Sequence, residues 1–185
     1  MIYLFLAQGF EEIEALAVVD ILRRAEVQVE TVSITDNQVV FGAHDIPVIA
    51  ERILPAIDFD DAEMFILPGG LPGSLHLDAC EELRQGIRQL YETGKTLAAI
   101  CAAPMVFGHM GLLKGLKATC YPGCEGHLEG ATYTGALVEQ DGQFITGKGP
   151  AAAFEFAYAI VEHLGGADKV KALREGMIYN EVTGC

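Results

Sequence analysis

A cysteine at a predicted turn is the first residue whose position suggests covalent chemistry. Cys101 stands between the apolar run Thr96–Ile100 and Ala102-Ala103-Pro104, where a strand is predicted to turn into a helix. A helix that begins beside a thiol directs N–H groups toward it, which lowers the thiol pKa and favours the nucleophilic thiolate. The alternative is a buried cysteine that serves as a small apolar side chain, and position alone does not choose between the two.

A pair of glycines, Gly69 and Gly70, follows the apolar run Met64–Leu67. Successive glycines permit unusual dihedral angles and expose backbone N–H groups, as an oxyanion hole requires. A tight turn at the end of a strand explains the same pair. Neither G-x-G-x-x-G nor a P-loop lysine pattern is present, so phosphate binding is not predicted.

Three acids, Glu11, Glu12 and Glu14, lie at the start of a predicted helix. Glu14 shares a helical face with the apolar residues Val18 and Ile21, and a carboxyl on that face would have a raised pKa and could donate a proton to a thiolate. The helix is apolar nearly all round, so periodicity does not choose among the three acids. Acids at a helix N-terminus also simply complement its dipole.

One cluster has a spacing similar to that of a metal site, formed by Cys120, Cys124 and His127. A zinc site normally needs four ligands, and because no further partner is obvious, no metal is predicted. The other four histidines stand outside any motif and are interpreted as surface or core side chains: His44, His76, His109 and His163.

Composition and charge exclude several classes of protein. The chain has 185 residues, of which 51% are hydrophobic, and this predicts one globular domain over 1–185. The formal net charge of −14, without a basic stripe, disfavours nucleic acid and anionic membranes as partners. No apolar run approaches the roughly 20 residues of a membrane helix.

The cysteines and the N-terminus bear on the compartment. There are five cysteines, an odd and scattered set that includes Cys80 and Cys185 and does not suggest a disulfide framework. The first apolar stretch is too short for a signal peptide and is soon followed by acids. We therefore expect reduced thiols and a cytoplasmic location.

The elements that must position these residues are read from the hydrophobic pattern. Apolar runs predict strands over 2–6, 27–34, 64–67 and 96–100, and helices are predicted over 11–25 and from Gly149-Pro150 to Leu164. Short strands are expected at 39–41 and 46–50, with a hairpin at Asp141-Gly142. A further helix, capped by Asp78 and Glu81, is predicted to end at Gly94, whereas the tail over 177–185 has no readable pattern.

Alternating strands and helices predict the fold class. They indicate βαβ units and a mostly parallel sheet with helices on both faces, that is, a three-layer α/β/α sandwich. Ligands bind such sheets at the carboxyl ends of the strands. The segments that carry Cys101, the glycine pair and the acids all follow predicted strands, so we expect them to meet at one rim.

Motifs spread over residues 4 to about 165 resemble those of the DJ-1/ThiJ/PfpI superfamily, and specifically of its DJ-1/ThiJ branch. They are G-F-E-E-I-E at 9–14, V-D-I-L-R-R-A at 19–25, L-P-G-G at 67–70, A-A-I-C-A-A-P at 98–104, and T-G-K-G-P with F-E-F-A at 146–157. The resemblance implies a flavodoxin-like sandwich related to class I glutamine amidotransferases, a homodimer, and no cofactor.

The resemblance also implies roles for individual residues. It places the oxidation-sensitive nucleophile at Cys101 and its protonated carboxyl partner at Glu14. The remaining implied site residues are backbone donors at Gly69, Gly70 and Ala102, and positions that line or support the pocket and the dimer contact at Arg24 and Pro150.

The sequence departs from the family pattern at two positions. The pocket histidine of better-known members falls at Tyr121, and a pocket arginine from the partner subunit falls at His44. A phenol can donate a hydrogen bond but is a poor general base at neutral pH. Peptidases of the PfpI branch carry a histidine where this chain has Ala102, and amidotransferases carry a late H-x-E that His163-Leu164-Gly165 lacks, so both activities are disfavoured.

The function expected from the resemblance is a cofactor-independent glyoxalase or deglycase activity on a small 2-oxoaldehyde or its early adducts. Cys101 would add to the aldehyde and Glu14 would move the proton. An alternative is an oxidative-stress sensor or chaperone-like protein in which Cys101 is oxidised to a sulfinate without turnover. A member that keeps the fold but has no activity is a third possibility.

Overall fold

Strands alternate with helices along the chain, as the hydrophobic pattern predicts. A computed structural model describes residues 1–183, so Cys185 lies outside the described residues. The strands are β1 (Ile2–Leu6), β2 (Val29–Ser33), β3 (Val39–Phe41), β4 (Pro47–Ile49), β5 (Arg52–Ile53), β6 (Met64–Leu67), β7 (Thr96–Ile100), β8 (Lys117–Ala118), β9 (Thr132–Tyr133), β10 (Val138–Asp141) and β11 (Phe144–Gly147).

The helices fall between these strands, and two short 3-10 helices, Glu125–His127 and Pro150–Ala152, lie near the candidate site. The α-helices are α1 (Glu12–Arg24), α2 (Gly73–Ala79), α3 (Glu81–Glu92), α4 (Pro104–His109), α5 (Ala153–His163), α6 (Ala167–Gly176) and α7 (Tyr179–Thr183).

Seven strands form one sheet in the order β10-β11-β7-β6-β1-β2-β5. Neighbouring strands pair in parallel, except that β10 and β11 form the antiparallel hairpin predicted at Asp141-Gly142. One hydrophobic cluster packs α1, α5 and α6 on one face of the sheet, and a second packs α2, α3 and α4 on the other. The predicted α/β/α sandwich is therefore confirmed.

The strands at the centre of the sheet are unbroken apolar runs because helices cover both faces of the sheet. All five residues of β1 and all four of β6 are buried, as expected of parallel strands between two helical layers. This arrangement brings the carboxyl ends of β1, β6 and β7 side by side. Within residues 1–183, no helix has the length and apolar character of a membrane span.

One local prediction is wrong, and one segment without a readable pattern is ordered. Asp78 does not cap α3, because it lies inside α2, where it accepts hydrogen bonds from Arg84 and contacts His109, and α3 begins after Cys80 without a side-chain cap. The C-terminal tail is helical over Tyr179–Thr183, and the Tyr179 ring stacks on Phe154.

Candidate functional site

The segments that follow β1 and β6 interlock through their backbones. The Glu11 N–H donates to the Gly69 carbonyl at 2.9 Å, and the Gly73 N–H donates to the Gly9 carbonyl at 3.2 Å. Gly70 has a φ of +90°, and a β-carbon there would lie 2.4 Å from the Glu11 nitrogen, so only glycine fits. The glycine pair therefore brings the start of α1 close to the turn after β7.

Cys101 occupies that turn in a strained backbone conformation. Its φ is +65°, in the left-handed region that residues with a β-carbon rarely adopt. Two hydrogen bonds hold it there, since the Cys101 N–H donates to the Gly147 carbonyl at 2.9 Å and its own carbonyl accepts from the Tyr121 N–H at 2.8 Å. Cys101 is 8% exposed. A strained strand-to-helix turn is typical of a nucleophile elbow.

Glu14 is the acid that faces Cys101. The residue is 0% exposed, and its Oε2 accepts from the Gly69 N–H at 2.8 Å. Its Oε1 is buried and has no hydrogen-bond partner among the described residues. A β-carbon at Gly69 would lie 2.6 Å from both Glu14 Oε2 and Cys101 Cβ, so the absent side chain lets the acid and the thiol come together.

Burial controls the proton on Glu14. It raises the pKa of the carboxyl to about 7, opposed by hydrogen bonds with Cys101 and the Gly69 N–H and reinforced by the negative charge of Glu11. A large fraction of Glu14 therefore keeps its proton near neutral pH.

The thiol shows the opposite of the shift that the helix position predicts. Burial raises the pKa of Cys101, and the charge and hydrogen bond of Glu14 raise it further, whereas the N–H groups of Gly70 and Ala102 lower it. The expected low thiol pKa is therefore wrong, because burial is the largest cause of the raised value. A proton on Glu14 removes the opposing charge, so the site favours one negative charge shared by the two groups.

The backbone donors divide into two roles. The N–H groups of Gly70 and Ala102 lower the pKa of the Cys101 thiol through hydrogen bonding, and their role as oxyanion donors stays a prediction. The Gly69 N–H is instead donated to Glu14 Oε2. The prediction that Gly69 supplies an oxyanion donor is wrong in this respect, because its N–H positions the acid.

Tyr121 and Pro150 line an apolar groove next to the turn. Tyr121 is 49% exposed, and its ring lies so close to Gly149 that a β-carbon there would be 3.1 Å from Cδ2. The groove has a volume of about 200 Å³, and its walls are formed by Tyr121, Pro122, Leu137, Lys148, Gly149, Pro150, Ala151 and Ala152.

His44 forms an ion pair with α1 of its own chain. Its Nδ1 lies 2.7 Å from Glu12 Oε2 and 3.9 Å from Glu11 Oε2, and the hydrogen bond that it donates to Glu12 raises the pKa of His44. Glu12 is accommodated by Gly42, where a β-carbon would lie 2.2 Å from Oε1. The ligand atoms of the three residues lie within 4.8 Å of one another, as a metal site requires, but the short His44–Glu12 contact already accounts for their arrangement.

Arg24 is not brought to the site within one chain. It lies at the C-terminal end of α1, ten residues and therefore about 15 Å along the helix from Glu14, and its Nε donates to Asp20 at 2.7 Å. Its place at a dimer contact stays a prediction.

Gly147 is the site residue that the sequence reasoning did not single out. Its carbonyl accepts the Cys101 N–H, and a β-carbon would lie 2.8 Å from the Ile100 side chain. It ends β11, which pairs with β7. The signal that could have identified Gly147 is its place at the end of a strand that neighbours the strand leading to Cys101.

Known proteins are similar to this chain in sequence. The chain is 40% identical over 166 residues to protein DJ-1 homolog B of Arabidopsis thaliana, covering 88% of this chain and 38% of the longer plant protein. It is 32% identical to the glutathione-independent glyoxalase DJR-1.2 of Caenorhabditis elegans, covering 88% of this chain and 87% of that protein. The chain thus spans about two fifths of the plant relative but most of the worm one.

Solved structures show the same architecture. The crystal structure of Drosophila melanogaster DJ-1beta superposes with a TM-score of 0.90 at 32% identity, and the match covers 96% of each chain. The sequence model of the DJ-1/PfpI family matches residues 1–163, which include both Glu14 and Cys101. The fold, the strained cysteine turn and these matches together show that the chain belongs to the DJ-1/PfpI family.

Proposed function

We propose that this protein is a cofactor-independent glyoxalase or deglycase that converts a small 2-oxoaldehyde, or its early adduct with an amine or thiol, into a 2-hydroxy acid. The observation that carries the proposal is a fully buried carboxyl, Glu14, with a pKa raised to about 7 beside the strained Cys101. The similar protein from Caenorhabditis elegans is a glutathione-independent glyoxalase, and this supports the same chemistry.

The first step would form a hemithioacetal. The Cys101 sulfur attacks the aldehyde carbon, a C–S bond forms, and the carbonyl π pair moves to oxygen, which takes a proton from Glu14. A nucleophilic thiolate and a protonated carboxyl are both required, and a pair that holds one negative charge supplies them. The N–H groups of Gly70 and Ala102 stabilise negative charge at the sulfur before attack.

The second stage would move hydrogen from the aldehyde carbon to its neighbour. The Glu14 carboxylate removes the proton from the hemithioacetal carbon to give an enediol, and reprotonation at the adjacent carbon leaves a thioester. One carbon is oxidised as the other is reduced, so no external oxidant is needed. Water then cleaves the thioester, which releases the 2-hydroxy acid and restores the thiol.

Glu14 is the acid-base group in both stages because the position of the family histidine holds Tyr121. The Gly69 N–H fixes Glu14 Oε2, and the unpartnered Oε1 is left for the thiol and the substrate. The apolar groove beside Tyr121 and Pro150 would accept the substrate's carbon substituent.

We also propose that the active form is a homodimer, as the resemblance implies, and that it acts in a reducing cytoplasm that keeps Cys101 as a thiol. Apolar side chains are exposed on α1 and on the β3–β4 hairpin, whose turn contains His44. These exposed side chains support the dimer.

The test is turnover of methylglyoxal to lactate by purified protein. Cys101→Ser should reduce the rate by at least about a thousandfold, as removal of a catalytic nucleophile does. Glu14→Gln should also be strongly impaired, because it cannot take a proton. Cys80→Ser, which changes another free thiol, is the matched control and should keep the full rate. Lactate formation that survives Cys101→Ser would refute the proposal.

A further inference from the structure

Two histidines from separate elements meet on the surface away from Cys101. His109 is the last residue of α4, and His127 ends the 3-10 helix Glu125–His127. His109 Nε2 and His127 Nδ1 are 3.0 Å apart. His109, which stands outside any sequence motif, therefore gains a histidine neighbour only through the fold.

Asp78 fixes which nitrogen of His109 faces its neighbour. Its Oδ2 lies 2.8 Å from His109 Nδ1, and its Oδ1 accepts from Arg84 Nη1 at 2.7 Å. A carboxylate only accepts hydrogen bonds, so His109 Nδ1 carries the proton and Nε2 presents its lone pair to His127. A ligating histidine whose other nitrogen is held by a carboxylate is the usual arrangement around protein-bound zinc.

Gly108 allows the two elements to approach so closely. A β-carbon at Gly108 would lie 1.9 Å from the His127 carbonyl oxygen and 3.0 Å from Leu128 Cα. These are backbone atoms, so a side chain at this position would push the 3-10 helix away from α4. The meeting of His109 and His127 is thus built into the packing of the backbone.

We propose that His109 and His127 form a binding site for Zn²⁺, with Asp78 as the outer partner of His109. Two imidazole nitrogens bound to tetrahedral zinc at 2.0–2.1 Å lie about 3.3 Å apart, only a few tenths of an ångström more than the present 3.0 Å. The His127 proton moves from Nδ1 to Nε2, so binding needs no net loss of a proton. Water supplies the other two of the four zinc ligands, since His127 is exposed and His109 is half-buried.

The bound cation would join two segments that flank the proposed catalytic turn. The helix that ends at His109 begins three residues after Cys101, and the segment that leads to His127 includes Tyr121, whose N–H holds the Cys101 carbonyl. Zinc would stabilise this part of the fold without touching the reacting atoms. The inference is independent of the glyoxalase proposal, because its readouts are binding and stability.

The experiment measures Zn²⁺ binding by calorimetry and thermal unfolding with and without Zn²⁺. Wild type should bind one Zn²⁺ per chain and unfold at a higher temperature with zinc. His127→Gln should weaken binding by more than tenfold and abolish the thermal shift. Asp78→Asn, which keeps both imidazoles, should weaken binding by about 10–100-fold, the usual effect of removing an outer partner.

Two control variants and one spectrum separate this site from the alternatives. His76→Gln removes another surface histidine and His44→Gln removes the one beside Glu11 and Glu12, and both should bind Zn²⁺ as wild type does. The Co²⁺ complex should lack the intense near-ultraviolet absorption of thiolate ligation. Wild type without a zinc-dependent shift, binding lost in His44→Gln but kept in His127→Gln, or a thiolate spectrum would each overturn the proposal.

Discussion

Glu14 and Cys101 lie in surroundings where a negative charge on either group is costly. Burial raises both pKa values, and the charge and hydrogen bond of Glu14 raise the pKa of Cys101 further, whereas the hydrogen bond with Cys101 lowers the pKa of Glu14. The backbone N–H groups of Gly69, Gly70 and Ala102 together offset the cost of one charge rather than two. The pair is therefore best regarded as one site that exchanges a single proton near neutrality, which is what a reaction with alternating acid and base steps requires.

The raised pKa of Glu14 has a measurable effect on stability. Its folded pKa of about 7 lies above the ordinary value of 4.5, so between these values the native state binds more protons than the unfolded state. Stability therefore falls as pH rises through this window. Glu14→Gln removes the effect, and between pH 4.5 and 7.5 wild type should lose about 3 kcal/mol of unfolding free energy relative to the variant.

Urea unfolding of both proteins at several pH values measures this difference. Glu129→Gln, which changes an exposed acid, is the control and should follow wild type. Parallel stability curves for wild type and Glu14→Gln would show that the native state does not hold the extra proton.

The choice of Glu14 among three acids shows what sequence reasoning could reach at this scale. Periodicity left the choice open because α1 is apolar nearly all round, and only the resemblance selected Glu14. The structure supplies the physical reason, since Glu12 turns toward Gly42 and His44 while Glu14 turns toward Gly69. Those partners come from distant parts of the chain, so local sequence could not indicate them.

At the scale of elements, the contact between α4 and the 3-10 helix Glu125–His127 depends on a single missing side chain. Gly108→Ala should destabilise the protein by about 1–3 kcal/mol, because the new β-carbon would displace the backbone at His127. It should also weaken zinc binding, since the two histidines would be pushed apart.

Gly126→Ala is the matched control, because a β-carbon at Gly126 would meet no atom within 4 Å. Urea unfolding of the two variants and wild type measures the effect. Equal stability of the two alanine variants would show that the 3-10 helix moves freely on α4.

Long and strongly apolar elements could be predicted from the sequence, whereas short ones could not. The buried strands β1, β6 and β7 have the bounds expected because each is an unbroken apolar run. The cap assigned to Asp78 failed because a second short helix, α2, precedes α3 and uses that carboxylate in tertiary contacts. The tail helix α7 was missed because it depends on ring contacts with Phe154 and Tyr158 rather than on its own pattern.

On the scale of the whole molecule, apolar side chains are exposed on one region near the proposed active site. Ile13 and Leu16 lie on α1, and Phe41, Ile46 and Ile49 lie on or beside the β3–β4 hairpin, with Ile49 73% exposed. The hairpin is joined to the site because the Gly9 N–H donates to the Phe41 carbonyl. A second copy of the chain that covers this region would place its own hairpin near the first copy's site.

In the proposed dimer, Ile49→Glu should therefore weaken association by about a hundredfold or more, because a buried unpaired carboxylate costs several kcal/mol. Light scattering after size-exclusion chromatography, over a dilution series, measures the effect. Leu164→Glu places the same charge on an exposed leucine at the far end of α5 and should leave the dimer intact. A wild-type protein that stays monomeric at high concentration, or dissociation by both variants, would contradict this interface.

The left-handed backbone at Cys101 has a consequence for how the sequence can change over time. Such a conformation costs about 1–2 kcal/mol for a residue with a β-carbon and almost nothing for glycine, and Cys101 adopts it with a φ of +65°. Selection for stability alone would favour glycine over cysteine at this position. Only selection for the sulfur itself opposes that replacement, so a descendant that no longer used the thiol would be expected to lose it early.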